Sequence, residues 1–431
     1  MRYRYGLFTL FFLLTCSFSL NASDQLLRLA KLTESDGTVG NDILGNSVAM
    51  DGDTIVVGDV NSNVGQNFEE GAAYVFVKPA NGWHDMTQTA KLTASDGEES
   101  DHFAQSVSIR GDTIAIGSYC HPQQKQSLRC PGTVYLFVKP AGGWKDMTET
   151  AQLSASDDHV SSGFYLGWSV ALDGSGGTVF GDAIAWPSDG CAKGKIYVFV
   201  KPATGWKNMT QNAELTASDG RCFNIMGATL SSSGDDVAAW APGWPNGAGT
   251  NCCQGASYIF AKPAGGWKNM TQTARLTALD SVPGDEFGFV SLDGGTLVAG
   301  SQLATVDGHF RQGAAYIFLE PKTGWKNTSH FQAKVTAFNG QTKDTFGFVS
   351  LSGNHLLVGA DGYASDEGAA YFYNEPSSGW KSTSKYDAKL TEPAHQPAAF
   401  FGYSVFLQGK VMVVGAYLEK PTGAAYVYEQ K

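Results

Sequence analysis

The residue types that most often carry out catalysis follow no regular pattern in this 431-residue chain. The sequence contains no Gly-x-Ser-x-Gly nucleophile elbow, no His-Glu-x-x-His zinc motif and no phosphate-binding glycine loop. The eight histidines also fall at unrelated positions: His84, His102, His121, His159, His309, His330, His355 and His395. The sequence therefore predicts a protein that is not an enzyme, with no catalytic residue and no cofactor.

The cysteines favour covalent cross-links over metal binding. Cys16 lies in the N-terminal apolar segment, and no zinc-type Cys-x-x-Cys pair is present. Six cysteines remain as disulfide candidates: Cys120, Cys130, Cys191, Cys222, Cys252 and Cys253. An even number in an exported chain favours disulfides, and we expect Cys120 and Cys130 to close one loop. The sequence leaves the rest of the connectivity open.

Several polar positions recur and invite a functional interpretation. Asn208, Asn269 and Asn327 are glycosylation candidates if the host is eukaryotic. Other repeats carry Asp85 and Asp146 at the same position, which favours an Asx turn. A second recurrent acid could form polar pockets, although turn capping is favoured; its copies are Asp36, Asp96, Asp157, Asp219 and Asp280.

Two further patterns are explained by the repeat itself. Arg110-Gly111-Asp112 spells a cell-attachment tripeptide, but it occupies the same tight turn as residues 51–53. Six tryptophans could stack sugars, yet their regular placement favours packing. They are Trp83, Trp144, Trp206, Trp267, Trp325 and Trp380.

These positions belong to a repeat that extends through the chain. A segment of the form Gly-Ala-Ala-Tyr-Val-Phe recurs every 55 to 62 residues, beginning at Gly71, Gly132, Gly194, Gly255, Gly313, Gly368 and Gly423. Each repeat holds four strand-like runs, and the first two are joined by tight turns in which glycine supplies a positive φ. The sequence predicts an all-β fold, a seven-bladed β-propeller of four-stranded antiparallel blades.

The predicted propeller is a single domain of residues 24–431. A fourth-strand copy at residues 29–33 precedes the first blade, and the last repeat stops after its third strand. We therefore expect the N-terminal strand to complete the last blade and close the ring. The expected blades cover residues 41–97, 101–158, 162–220, 222–280, 285–340, 344–393, and 399–431 together with 26–35.

The N-terminus and the net charge restrict location and partners. Residues 1–23 combine two arginines, an apolar run and small residues, which predicts a signal peptide and a secreted or cell-surface protein. No later segment is apolar enough to predict a membrane span. The formal net charge of −11, without a basic run, argues against nucleic acid as a partner.

Phe-Gly pairs near the start of the repeats are similar to those of a known family. With Phe287-Gly288, Phe346-Gly347 and Phe401-Gly402, the chain resembles the FG-GAP repeat of the integrin α-subunit propeller. The resemblance implies a binding or adhesion role, and integrin-type repeats often hold calcium between their first two strands. Here that loop has shrunk to a short turn in most repeats, so we expect no calcium. The third blade keeps a longer loop, in which Asp173, Ser175 and Asp182 are weak candidates for metal ligands.

Long, irregular loops predict where a ligand binds. The second-to-third and fourth-to-first connections of such blades share one face of a propeller, and variable loops on a rigid scaffold usually carry the binding residues. The candidate contacts on this long-loop face are Tyr119, Trp186, Trp244, Phe310, Tyr363 and Tyr417. The leading hypothesis is a non-catalytic binding or adhesion module for an extracellular protein or glycan. The alternatives are a lectin with repeated sugar sites between blades, and a secreted hydrolase or lyase with a central-channel site.

Overall fold

A computed structural model describes residues 26–121, 130–157, 165–184, 191–245 and 252–431. These residues form seven antiparallel sheets, and each sheet contacts the next through its innermost strand. The predicted seven-bladed β-propeller is therefore confirmed. The described part of the chain contains a four-residue helical segment, Tyr363–Asp366, and no helix there is long and apolar enough to cross a membrane.

Each blade has an inner, a second, a third and an outer strand, counted outwards from the axis of the ring. In blades 1 and 2 these are Ser47–Asp51, Thr54–Asp59, Ala72–Val77 and Ala90–Thr93, then Phe103–Arg110, Thr113–Ser118, Thr133–Val138 and Ala151–Ser154. In blades 3 and 4 they are Leu166–Leu172, Thr178–Ala183, Lys195–Val200 and Ala213–Thr216, then Leu230–Ser233, Asp236–Ala241, Ala256–Ala261 and Ala274–Leu276. In blades 5 and 6 they are Phe289–Asp293, Thr296–Ser301, Ala314–Leu319 and Ala333–Val335, then Phe348–Ser352, His355–Ala360, Ala369–Asn374 and Ala388–Leu390.

Blade 7 is assembled from both ends of the chain. Its first three strands are Phe401–Gln408, Val411–Ala416 and Ala424–Gln430, and its outer strand is Leu26–Thr33. The outer strand pairs antiparallel with the third strand, from Leu26 opposite Gln430 to Leu32 opposite Ala425. The expected closure of the ring by the N-terminal strand is confirmed.

The connection between third and outer strands holds a feature that the sequence interpretation missed. A Met-Thr pair in this connection forms a two-residue strand that pairs in parallel with the outer strand of the preceding blade. These short strands are Met86–Thr87, Met147–Thr148, Met209–Thr210 and Met270–Thr271. They turn four of the blades into five-stranded sheets and clamp neighbouring blades together at the rim.

The hydrophobic core lies between neighbouring sheets. Val134 and Leu136 of blade 2, for example, pack with Val179 and Tyr197 of blade 3. Five of the six repeated tryptophans are buried at 3–8% exposure, and Trp267 packs edge-on against the Phe180 ring at 5.2 Å. The expectation that the tryptophans pack rather than bind is confirmed.

Glycine is required immediately before each third strand. Gly313 has φ +89°, and a Cβ atom there would lie 2.0 Å from the carbonyl oxygen of Phe346 in the next blade. Its counterparts share φ values of +76° to +91°: Gly71, Gly132, Gly194, Gly255, Gly368 and Gly423. Neighbouring blades approach backbone to backbone at these points, which explains why the glycines recur with the repeat.

Around the axis, serine side chains form hydrogen bonds with backbone groups at the free edges of the inner strands. The Ser47 hydroxyl donates to the Ala104 carbonyl of the next blade at 2.9 Å. In the other direction, the Leu351 amide donates to Ser291 of the preceding blade at 2.9 Å. Equivalent bonds join Ser106 to Gly167, Leu230 to Ser169, Leu407 to Ser350, and Ser404 to Gly45. The polar lining thereby fixes the inner strands and protects edges that would otherwise be free to pair.

Candidate functional site

The inner strands enclose a channel along the axis of the ring, with a cavity of about 740 Å³. Its walls are mostly small residues, with the serines already described and valines such as Val107 and Val170. The first residues of the inner strands lie at the mouth on the long-loop face, because the fourth-to-first loops lead into them. A mouth of this size and composition has the properties of a small-ligand site.

Five aromatic rings form a continuous wall along one side of the mouth, here called the aromatic arc. The ring of Trp240 lies 5.8 Å from that of Phe289, and Phe289 lies 5.4 Å from Phe348. Tyr403 follows at 5.2 Å from Phe348, and Tyr417 at 4.6 Å from Tyr403. The arc spans blades 4 to 7 and presents apolar surface and tyrosine hydroxyls together.

A second aromatic group, the Tyr119 cluster, lies across the mouth in blades 2 and 3. The Tyr119 ring stacks on His102 at 5.1 Å and contacts Trp168 at 5.0 Å and Tyr165 at 6.1 Å. Trp168 is 38% exposed, which is more than any other described ring of the two groups. Its indole is therefore well placed to contact a ligand.

Polar amides separate the two aromatic groups. Asn46 and Gln105 line the channel at the start of blades 1 and 2, and Gln302 lines it on the opposite side. The side-chain amide of Asn46 donates to the backbone carbonyl of Gln105 at 3.2 Å. The mouth thus combines flat apolar faces with neutral hydrogen-bonding groups.

A single position of the repeat supplies half of these side chains. It directly follows the second residue of the Phe-Gly pair, which is Ala104 in blade 2, and it holds Asn46, Gln105, Trp168, Ala228, Phe289, Phe348 and Tyr403. Because the flanking residues repeat and this one varies, its variation was a usable signal that the sequence interpretation missed. Position-specific variation on a fixed scaffold is typical of recognition.

Trp240 enters the arc by replacing a glycine. The corresponding residue is Asp182 in blade 3 and glycine in the five other blades: Gly58, Gly117, Gly300, Gly359 and Gly415. A Cβ atom at Gly300 would lie 1.8 Å from the Gly347 carbonyl oxygen, which shows how closely the blades approach there. In blade 4 the indole instead donates to the Phe287 carbonyl at 3.1 Å and lies beside Phe289.

The channel lining is nearly uncharged at neutral pH. Among the described residues that line the channel, Arg110 carries the one formal charge. Burial raises the pKa of Tyr119 and that of Tyr417 to about 12, so both hydroxyls stay neutral. Asp361 lies close enough to Tyr403 and Tyr417 to raise their pKa values further. Burial raises the pKa of Asp361 itself to about 6, and its carboxylate accepts a hydrogen bond from Thr345.

Two of the six predicted contact residues touch rings that line the channel: Tyr119 contacts Trp168, and Tyr417 contacts Tyr403. Trp244 is instead held in place by packing, with the Arg275 guanidinium 4.7 Å from its ring and its indole bonded to Asp219. Tyr363 is likewise covered by the Lys389 ammonium at 3.4 Å.

The other two predicted contact residues are Phe310 and Trp186. Phe310 is 52% exposed and is not part of the channel wall; the Arg311 guanidinium lies 5.0 Å from its ring. Trp186 lies outside the described residues.

Two disulfides stiffen the long-loop face. Cys120 pairs with Cys130, as expected, and Cys191 pairs with Cys222, which joins the loops of blades 3 and 4. Cys252 and Cys253 are free thiols in the structure, so these two candidates do not form a disulfide. Adjacent residues rarely meet the distance and angle requirements of a disulfide.

The weak metal candidates of blade 3 do not come together. The Asp173 carboxylate accepts hydrogen bonds from Ser175 and from the Gly177 amide, both at 2.9 Å, within the hairpin turn. Asp182 lies near the other end of its strand, where the Ser169 amide donates to it at 2.6 Å. The three residues therefore do not share one coordination site. The first hairpins of the other blades are two-residue turns such as Asp51–Thr54, with no room to wrap an ion.

The side chains at the recurrent Asn or Asp position form hydrogen bonds between neighbouring blades. Asn208 accepts a hydrogen bond from the Gln152 amide of the preceding blade at 2.9 Å, and Asp85 does the same for Lys31 at 2.7 Å. The Asx turn predicted for this position is therefore an inter-blade bond instead. Glycosylation of Asn208, Asn269 and Asn327, whose side chains are exposed, stays a prediction. In the Arg-Gly-Asp turn, the Gly111 amide donates to Asp51 of blade 1 at 2.6 Å.

The recurrent acids after the outer strands form inter-blade contacts as well. Asp157 accepts from Tyr197 at 2.5 Å and from Lys195, while Asp219 accepts from Tyr258 at 2.9 Å and from Arg275. Similar pairs are Asp36 with Lys91, Asp96 with Tyr135 and Gln152, and Asp280 with Lys334. These pockets are filled by the protein's own side chains.

A buried histidine on this face gives the stability a dependence on pH. Burial alone would lower the pKa of His121, but the carboxylates of Asp101, at 2.7 Å, and Asp96, at 3.3 Å, raise it above 6.5. The resulting stabilisation is complete below the unfolded-state pKa and is lost as the pH rises through the folded-state pKa. We expect His121→Gln to lower the melting temperature more at about pH 5.5 than at about pH 8.5. Equal losses at both pH values would contradict this assignment.

Comparison with known proteins agrees with the architecture. The family model of the FG-GAP repeat matches residues 27–76, 86–137, 270–318, 330–373 and 385–428, and no curated protein matches the chain. Each match ends within a third strand, so one repeat unit joins parts of two neighbouring blades. Blades 3 and 4 lie largely outside the matches, and these blades carry the longer Asp173 hairpin and Trp240 in place of glycine.

Proposed function

Because the chain belongs to the FG-GAP repeat family, we propose that it is a secreted, non-catalytic binding protein that takes a glycan at the channel mouth. The predicted signal peptide and the two disulfides support export, since disulfides persist in oxidising compartments. A protein ligand on the same face is the competing possibility for this binding role.

The amphipathic composition of the mouth carries the proposal. Sugars present an apolar C–H face to a flat ring and hydroxyl groups to neutral amides or hydroxyls. The aromatic arc, the Tyr119 cluster and the amides of Asn46 and Gln105 offer both kinds of surface around one opening. A few polar groups among aromatic side chains are the usual composition of a small-ligand pocket.

The near absence of charge supports binding over catalysis. A hydrolase or lyase needs an acid and a base within reach of the substrate, whereas Arg110 is the one charged residue of the described channel lining. The raised pKa of Asp361, about 6, would suit an acid, but Thr345 holds its carboxylate behind the aromatic arc. Asp361→Asn would abolish any turnover that depended on this group.

The filled inter-blade pockets support one site per chain over a lectin with repeated sites. Asp157 and Asp219 lie where a repeated sugar site would be expected, and both are bonded to tyrosine and to a basic side chain. A sugar would have to displace these partners in each blade. We therefore expect a stoichiometry near one.

A glycan array followed by titration calorimetry tests the proposal. Trp168→Ala is the primary variant, because Trp168 is 38% exposed and its loss should leave the fold intact. We expect this variant to weaken binding of the best array ligand roughly 30-fold, as for the loss of an aromatic anchor. Phe310→Ala is the matched control, an exposed aromatic outside the channel lining, and should bind like the original protein.

Each outcome bears on a different part of the proposal. Loss of binding in the Phe310 variant alone would place the site on the outer loops. Several equivalent sugars per chain would favour the repeated lectin. New reducing ends or unsaturated products from the bound glycan would show catalysis, and capture of proteins with no glycan binding would identify a protein ligand.

A further inference from the structure

Three carboxylates meet in a buried group outside the channel, on the long-loop side of blade 1. Glu34 directly follows the N-terminal strand, Asp42 lies in the loop that leads into blade 1, and Asp59 ends the second strand of that blade. One oxygen from each residue lies within 4.8 Å of the others. The residues are 9%, 5% and 0% exposed, so water has little access to them.

Three of the six carboxylate oxygens in this group lack a hydrogen-bond partner of ordinary geometry in the described part of the chain. Asp59 Oδ1 accepts from the amides of Ile43 and Asn61 at 3.0 Å, and Asp42 Oδ2 accepts from the Thr38 amide at 2.8 Å. Asp59 Oδ2 and both oxygens of Glu34 are buried without such a bond among the described residues, although the side chains of Thr422 and Tyr74 lie beside Glu34. Buried polar atoms in native proteins normally have a hydrogen-bond partner, so these unpartnered oxygens indicate a bound ligand.

Nearby positive charge does not balance the cluster. The Lys91 ammonium forms its ion pair with Asp36 at 2.7 Å, outside the group. Although Lys91 lies near Asp42, none of the three carboxylates forms an ion pair within the described residues, and buried carboxylates of this kind are unfavourable when ionised.

The other blades show that the fold does not need this cluster. At the Glu34 position, five blades carry alanine: Ala94, Ala155, Ala217, Ala278 and Ala337. Blades 2 and 5 carry serine at the Asp59 position, and there Ser118 and Ser301 donate to the backbone carbonyls of Asp101 and Asp285 at 2.9 and 2.8 Å.

One other blade has an acid at the Glu34 position, and that acid is fully satisfied. Glu392 lies between the outer strand of blade 6 and blade 7, and it accepts from the amides of Ala394 and Gln396 at 2.8 and 2.9 Å and from Tyr426 of blade 7 at 3.2 Å. The residues of blade 7 that correspond to Asp42 and Asp59 are Ala399 and Ala416. A partnerless glutamate together with two aspartates is thus peculiar to blade 1 among the seven.

We propose that Glu34, Asp42 and Asp59 bind one calcium ion that joins the N-terminal strand to blade 1. Calcium takes oxygen ligands at about 2.3–2.6 Å in flexible geometry, so ligands on opposite sides of the ion can lie about 5 Å apart. The group meets this requirement, and its free oxygens can bind in monodentate or bidentate fashion. Magnesium demands a tighter octahedron and suits the group less well. The site lies on the face opposite the shortened hairpin turns.

The test uses calcium alone with the full protein after treatment with a chelator. Calorimetry should show one calcium bound, and calcium at 100-fold over its Kd should raise the melting temperature by about 5 °C. Glu34→Ala and Asp59→Ser introduce the residues that other blades carry, so both variants should fold, and both should lose this shift. Glu392→Ala is the matched control and should keep it.

Three results would overturn the proposal. They are no calcium binding by calorimetry, an unchanged shift in the Glu34 and Asp59 variants, and a shift of equal size with magnesium at the same concentration. Folding of the two variants is checked independently of calcium, since in chelator they should melt no lower than the original protein.

Discussion

Replacing Gly313 with alanine is expected to lower the free energy of unfolding by about 4 kcal/mol or more, an exceptionally large effect for one methyl group. The added Cβ would lie 2.0 Å from the Phe346 oxygen and 2.6 Å from its nitrogen. Both atoms belong to the backbone of the next blade, so no side-chain rotation relieves the overlap. Thermal unfolding should show a loss of about 8 °C or more, at about 2 °C per kcal/mol.

Gly324→Ala is the matched control in the same blade. Gly324 has a similar φ of +82°, but no atom lies within 4 Å of the position of the added methyl group. This variant should lose only the cost of a left-handed backbone, about 1–2 kcal/mol. If both variants had the same melting temperature, the close approach of the blades would not be the reason that glycine precedes the third strand.

Removal of residues 26–33 is expected to open the ring and lower the melting temperature by about 10 °C or more. The deleted strand buries Ala30 and Leu32 completely, and it pairs along the length of Ala424–Gln430. Its loss leaves Ala425 and Val427 uncovered at a free strand edge, which invites association between chains. Light scattering at increasing protein concentration should detect oligomers of the truncated chain.

A peptide of residues 24–35 provides the control for this truncation. Added in excess, it should restore the melting temperature and suppress association, because it supplies the missing edge. A peptide with the same composition in scrambled order should do neither. A truncated chain that stays monomeric and melts like the full protein would show that closure contributes little to stability.

Repetition made the fold predictable. The Gly-Ala-Ala-Tyr segment indicated the number of blades, and the unpaired outer strand at the N-terminus indicated how the ring closes. The Met-Thr strands were harder to predict, because a two-residue strand has no periodicity of its own. They pair with the preceding blade, as Met86 does with Leu32, and that register is visible only in three dimensions.

The candidate site was predictable only to its face. Loop aromatics such as Trp244 and Tyr363 pack against nearby cations, and their contact with a ligand stays a prediction. Four of the rings at the mouth stand instead on the inner strands, and the sequence interpretation gave them no role; they are Trp168, Phe289, Phe348 and Tyr403. The carboxylates of blade 1 come from three separate segments, so their convergence depends on closure of the ring by the N-terminal strand.

The paired strands Leu26–Thr33 and Ala424–Gln430 of blade 7, here called the seam, also determine how the molecule would respond to mechanical load. The two strands of the seam run antiparallel, and Leu26 lies opposite Gln430, so both ends of the described chain leave from the same point. A force that pulled these ends apart would separate the strands one residue pair at a time, from Leu26 towards Leu32. The propeller would then open like a zipper at its seam, at a much lower force than if the whole strand were loaded in shear.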